Sequence, residues 1–106
     1  MTTFDWDSVS AEAVSPLMSR KVIHTPSMTV LQLRHRKGSV IQWHHHPHEQ
    51  LTMMTSGSMR FEMEGESVVL NAGQVLSIPG DVPHYAEALE DSTSTEVFVP
   101  ARDDMR

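Results

Sequence analysis

Turn signals punctuate this chain at short, even intervals, and that spacing limits its fold more than any other feature. Thr25-Pro26-Ser27, Lys37-Gly38-Ser39, Ser56-Gly57-Ser58, Glu64-Gly65-Glu66, Asn71-Ala72-Gly73 and Pro79-Gly80-Asp81-Val82-Pro83 divide the sequence into short runs. Glycine and proline break regular structure by conformational freedom and by a missing N–H. The runs between them read as strands. Met59, Phe61 and Met63 alternate with Arg60, Glu62 and Glu64, the period of a half-buried strand. No sustained helical period occurs anywhere. Short strands at such spacing predict an all-β sandwich or barrel, and 106 residues suit a single domain.

The strands can be drafted in order. Residues 1–19 predict an N-terminal arm lying across the barrel or a partner subunit, anchored by Trp6. Within it Ser10-Ala11-Glu12-Ala13-Val14 predicts one helical turn, stopped by Ser15-Pro16. Residues 20–106 predict the barrel. Lys21–His24 and Met28–Arg36 are strands, the second apolar on both faces, as at a dimer interface or in a sandwich. Ser39–His46 is the next. Gln50–Ser56 and Ser58–Glu64 read as a hairpin about Gly57. Ser67–Leu70, Gln74–Ile78, His84–Leu89 and Thr95–Val99 complete the set, and Pro100 ends the last.

Chemistry concentrates in one stretch. Four of the seven histidines, His44, His45, His46 and His48, fall within five positions. Neutral imidazole is the commonest metal ligand near neutral pH. On a strand, residues i and i+2 share a face, so His44 and His46 point together and His45 points away. Pro47 ends the strand, and re-entry at Gln50 brings its side-chain carbonyl to the pair as a third ligand. The competing reading is a solvated histidine patch. His84 opens a strand after a fixed turn and shares its face with Ala86 and Ala88. It either faces a cavity that those small residues leave open, or is a core histidine bonded to a carbonyl. His48 reads as a support behind the metal ligands or, more simply, as exposed, His24 and His35 as surface or interface residues, and Met53, Met54, Met59 and Met63 as core or cavity lining.

Composition excludes several classes. There is no cysteine, hence no disulfide, thiolate zinc site or cysteine nucleophile; this fits a reducing cytoplasm. No apolar run is long enough to span a membrane. The first 20 residues carry Asp5, Asp7 and Glu12 without a basic start and apolar run, so no signal peptide is expected. A net charge of −6 disfavours nucleic acid and anionic membranes. An anionic small molecule would need a local cation, either a metal ion or an arginine.

The spacing of these residues resembles a known family. Gly38, five residues, His44, one residue, His46, three residues, Gln50, six residues and Gly57 resemble the first cupin motif, with Gln50 where most cupins have glutamate. Gly73, five residues, Pro79 and then His84 resemble the second, with Asp81 where glycine is frequent and Ala88 where asparagine is. The resemblance implies a cupin double-stranded β-helix (jelly-roll) barrel of the RmlC-like type and a homodimer. It also implies one divalent metal ion per chain held by His44, His46, Gln50 and His84. Those four ligands are neutral, so the ion would keep its full charge. That suits Lewis-acid work on an anionic substrate more than oxygen chemistry. Ni, Zn, Fe, Mn and Cu all suit the set.

Two further stretches, Pro47–Thr52 and Glu96–Asp104, resemble a narrower group. These are the small cupins that open 4,5-unsaturated monouronates, left by pectin and alginate lyases, into linear keto acids. That group uses an aspartate, a phenylalanine and an arginine on the last segment. Phe98 and Arg102 match, and Glu96 stands where the aspartate would be. The resemblance implies Arg102 pairing with the substrate carboxylate and Glu96 as general acid or base, with Phe98 beside it. From the residues alone, Glu96 reads as an exposed strand carboxylate and Arg102 as a surface ion pair. Two rival readings are a cupin that binds a small molecule without turnover and a cupin dioxygenase.

Overall fold

The structure is a computed structural model describing residues 1–106. Ten strands form two antiparallel sheets. The strands are β1 (Glu12–Ser15), β2 (Met18–His24), β3 (Thr29–His35), β4 (Val40–His44), β5 (Glu49–Ser56), β6 (Ser58–Met63), β7 (Glu66–Asn71), β8 (Val75–Ile78), β9 (His84–Ala88) and β10 (Ser92–Val99). The six-stranded sheet runs β1-β2-β3-β10-β5-β8 and the four-stranded sheet β4-β9-β6-β7. This is the all-β architecture expected from the turn spacing, and the jelly-roll barrel that the cupin resemblance implies. The only helical pieces are single 3₁₀ turns, Trp6–Ser8 and Asp103–Met105. No helix is long and apolar enough to cross a membrane.

Alternation explains which side chains meet. Met59 and Phe61 of β6, Leu70 of β7, Ala86 and Ala88 of β9 and Met54 of β5 make one apolar cluster between the sheets. Leu31 and Leu33 of β3 and Phe98 of β10 make a second. Each large side chain so buried contributes roughly 1.5–3 kcal/mol. The inward rows of two strands are unusual. On β10, Ser92, Ser94 and Glu96 are buried ahead of Phe98, and on β5, Gln50 and Thr52 are buried ahead of Met54. The interior is therefore polar along this strand pair, which is antiparallel and sets Ser94 opposite Met54, Glu96 opposite Thr52 and Phe98 opposite Gln50.

Three expectations need correction. Residues 12–15 form strand β1, paired with β2, not a helical turn; the backbone groups of this segment bond to a neighbouring strand rather than to each other. Strands β5 and β6 are not a hairpin. At Gly57 the chain leaves the six-stranded sheet and enters the four-stranded one. Gly57 has φ +77, and a Cβ there would come within 2.3 Å of the Asp91 carbonyl oxygen, so only glycine allows the crossing. Strand β4 ends at His44, so His46 lies beyond it in extended chain. The Glu64-Gly65 turn does join a hairpin, β6–β7. Both turn residues have positive φ, 51 and 74, as a two-residue loop with the favoured twist requires.

Candidate metal centre

His44 closes β4, and His84 opens β9 directly across from it in the pairing. His46 follows His44 in the loop that leads to β5. That loop is held against the turn preceding His84. The Asp81 N–H donates to the His46 carbonyl at 2.8 Å, and a Cβ on Gly80 would meet the Pro47 carbonyl oxygen at 2.4 Å. Glycine at 80 therefore lets the two ligand-bearing segments touch. One ring nitrogen from each of His44, His46 and His84 lies within 4.8 Å of the others.

The outward-facing nitrogens are fixed by backbone. Nδ1 of His44 donates to the Gln42 carbonyl at 2.8 Å, that of His46 to the His48 carbonyl at 3.0 Å, and that of His84 to the Val82 carbonyl at 2.8 Å. Such partners set the tautomer and leave Nε2 with a lone pair for a ligand. His84 Nε2 is buried with no hydrogen-bond partner, a costly state for a polar atom unless something else engages it. Burial lowers the pKa of His84 and pushes that of His46 to about 4, the charges of Arg102 and His84 adding to the effect at His46. Burial thus favours the neutral ring at His46 and His84, the form that binds metal.

Gln50 completes the test of fit. Its Oε1 lies 3.1 Å from His46 Nε2, while its Nε2 donates to Thr52 Oγ1 at 2.9 Å and to Glu96 Oε2 at 2.6 Å. Because Glu96 as a carboxylate only accepts, the amide must present its oxygen to His46. A neutral His46 has its one proton on Nδ1. Two lone pairs therefore face each other, an arrangement that a shared cation satisfies. The donor set of three imidazoles and one amide oxygen fits a divalent metal ion, and its chemistry leaves the identity of the ion open.

The residues singled out in the C-terminal segment line the same cavity, of about 150 Å³. Glu96 is 5% exposed, not an exposed strand carboxylate. Burial raises its pKa, opposed by bonds from Thr52 and Gln50 and by the charge of Arg102. Phe98 sets its ring 5.5 Å from that of His46. The Arg102 guanidinium lies over the Phe98 ring at 4.8 Å and pairs with Asp104, Nε at 3.0 Å and one Nη at 2.9 Å. That pair lowers the pKa of Asp104 to about 2.

Some residues read differently in the structure. His35 is buried, 3% exposed, and shares a 3.0 Å hydrogen bond with Ser39. His48 is half-buried, its Nδ1 is enclosed without a partner, and its carbonyl orients His46. His45 is exposed, as its phase predicts. Thr52 and Asp104 received no role from the sequence. Thr52 was detectable as a polar residue in phase with Gln50 on an alternating strand; the Arg102–Asp104 contact had no comparable signal.

Comparison with known proteins follows the same lines. Residues 32–100 match the model of the family described as Cupin domain. KdgF from Halomonas sp. is 33% identical over 99% of this chain and 100% of its own, with a TM-score of 0.92. An RmlC-like cupin from Shewanella frigidimarina NCIMB 400 is 23% identical over 94% of this chain and 91% of its own, TM-score 0.89. A predicted oxalate decarboxylase from Thermotoga maritima is 15% identical over 93% and 99%, TM-score 0.82; these last two share the fold. A search of curated proteins finds no match.

Proposed function

The chain belongs to the cupin domain family, and from that premise we propose that it is a metal-dependent enzyme opening 4,5-unsaturated monouronates to linear keto acids. The observation that carries the reading is one cavity lined by three metal-competent imidazoles, a buried carboxylate and a cation. The resemblance of Pro47–Thr52 and Glu96–Asp104 to the uronate-opening cupins supports the substrate class. The cavity is small beside the ~300–1,000 Å³ of drug-sized sites, which suits a single sugar ring.

Ring opening breaks the bond between the anomeric carbon and the ring oxygen. The anomeric hydroxyl loses a proton and becomes an aldehyde. The alkene carbon gains a proton and the former ring oxygen becomes a ketone, so no net proton is consumed. A divalent ion held by His44, His46, Gln50 and His84 would supply Lewis acidity undiminished by its neutral ligands. Arg102 binds the substrate carboxylate, since a planar fork matches that group. The Nη outside its pair with Asp104 is available for this, and an exposed carboxylate such as Asp104 is displaced at little cost. Phe98 lines the cavity and lies against the guanidinium. Glu96 moves the proton, through the oxygen that its neighbours leave free. A homodimer and a cytoplasmic setting belong to the same reading; they rest on the sequence resemblance and the lack of cysteine.

The test is incubation of metal-loaded protein with unsaturated galacturonate, following loss of the enol-ether absorbance against the spontaneous reaction. Acceleration is expected, together with its loss in Glu96→Gln while bound metal is retained. No acceleration refutes the proposal. Glutamate in place of the group's aspartate favours one second reading, a cupin that binds the sugar acid without turnover. Substrate binding without any rate difference between wild type and Glu96→Gln would establish that reading instead.

A further inference from the structure

We infer that Thr52 is a positioning residue for Glu96, and that it compensates for the extra methylene by which glutamate exceeds the aspartate of the uronate-opening group. This inference rests on the function just proposed. Thr52 faces Glu96 directly in the β5–β10 pairing. Both are buried, at 1% and 5% exposure, so water cannot substitute for either partner. The Thr52 hydroxyl donates to Glu96 Oε2 at 2.5 Å. Its direction is not free: Gln50 Nε2 donates into the same hydroxyl oxygen at 2.9 Å, which leaves the single hydroxyl hydrogen for the carboxylate.

Gln50 Nε2 also donates to Oε2, at 2.6 Å. One carboxylate oxygen thus holds two short donors, and Oε1 accepts none from the protein. The two oxygens are therefore unequal. Oε2 is the anchored one, and Oε1 is left to meet substrate. A glutamate has one more rotatable bond than an aspartate, and an unanchored carboxylate would sweep through several positions. Two donors on the same oxygen remove that freedom and fix the reach of Oε1. Gln50 cannot do this alone. Its amide swings about its own side-chain bond, and the Thr52 oxygen is what holds the amide nitrogen toward Glu96. The chain Gln50–Thr52–Glu96 is closed into a triangle by three hydrogen bonds, and Thr52 is the corner on the stiffest side chain.

The arrangement also gives a physical reason for glutamine at position 50. A glutamate there would have no N–H to give and would set a second negative charge against Glu96. The threonine and the glutamine form one device, with Thr52 holding both its neighbours.

The test compares Thr52→Val, which keeps the shape and removes the hydroxyl, with Thr52→Ser, which keeps the hydroxyl. Thr52→Val should lower kcat roughly 10- to 100-fold, the scale of a misplacement near 1 Å, with KM within about twofold and bound metal unchanged; these bounds describe loss of position alone. Thr52→Ser should recover most of the rate. Crystal structures of both variants should show the Glu96 carboxylate displaced in Thr52→Val and in place in Thr52→Ser. If the valine variant fails to fold, Thr52→Ala is read in the same way. Wild-type kcat with an unmoved Glu96 overturns the inference and leaves the proposed function standing. A wild type that does not accelerate the reaction overturns the proposed function, and the position of Glu96 in the crystals still decides the role of Thr52.

Discussion

Replacing Arg102 with lysine keeps the charge and removes the fork. The variant loses the paired contacts to Asp104 and the flat surface lying over Phe98. A single lost bond between charged groups costs about 1.5–3 kcal/mol, so KM for an unsaturated uronate should rise roughly tenfold or more with kcat less affected. An unchanged KM in steady-state kinetics would remove Arg102 from carboxylate binding. At this scale the sequence was partly transparent. His44 and His46 could be suspected from their density and spacing and His84 from the cupin resemblance, and the structure brings the three together as a group that could hold a metal ion. The burial of Glu96 could not be found, because carboxylates at alternating strand positions ordinarily face water. The burial of His35 escaped for the same reason. Whether an imidazole is enclosed depends on strands distant in sequence, and nothing in its immediate neighbours records that.

Among elements, the loop before β5 and the turn before β9 form the joint that holds the candidate metal-binding histidines together. Gly80→Ala would drive a Cβ against the Pro47 carbonyl oxygen. Backbone, unlike the end of a flexible side chain, cannot easily yield, so His46 and His84 should separate. The expected result is a fall in metal affinity of roughly 10- to 100-fold, the range seen when the outer support of a ligand is lost. Equilibrium dialysis would measure it, and wild-type affinity in the variant would show that the joint is dispensable. Strand existence was largely visible from alternation, and strand partnership was not. Gln50–Ser56 and Ser58–Glu64 alternate equally well as a hairpin or as members of different sheets. What separates the two cases is the contact of Gly57 with Asp91 and Ser92, more than thirty positions away. The edge strand Glu12–Ser15 was hidden differently: it is exposed along its whole length, so no apolar face betrays its period.

For the molecule as a whole, acid sensitivity should follow from its buried imidazoles. Burial pushes His35 from an ordinary pKa of 6.5 down to about 4. Between those values the unfolded chain binds a proton that the folded protein refuses. His35 therefore permits full stability above about pH 6.5 and removes it progressively as pH falls toward 4, at up to about 1.4 kcal/mol per unit. Urea unfolding at pH 7 and pH 5 should show a loss about 2 kcal/mol larger in the wild type than in His35→Gln, in which the other buried imidazoles still contribute. An equal loss in both proteins would assign the effect to other groups. Fold class was legible at this largest scale because turn spacing is a property of the whole chain. The site was legible only in halves, because β4 and β9 belong to one sheet while β5 and β10 belong to the other. The tail is tied to the six-stranded sheet at its β2–β3 turn. Arg102 N–H donates to Thr29 Oγ1 at 2.8 Å, and an Arg106 Nη donates to the Thr25 carbonyl at 3.0 Å, while Met105 lines the cavity between them. Any polypeptide continuing past Arg106 would start one residue from that cavity. A polyhistidine purification handle fused there would bring rival imidazoles to the metal centre. Metal content measured on such a fusion would describe the handle as much as the protein, and the handle is better carried at the other terminus.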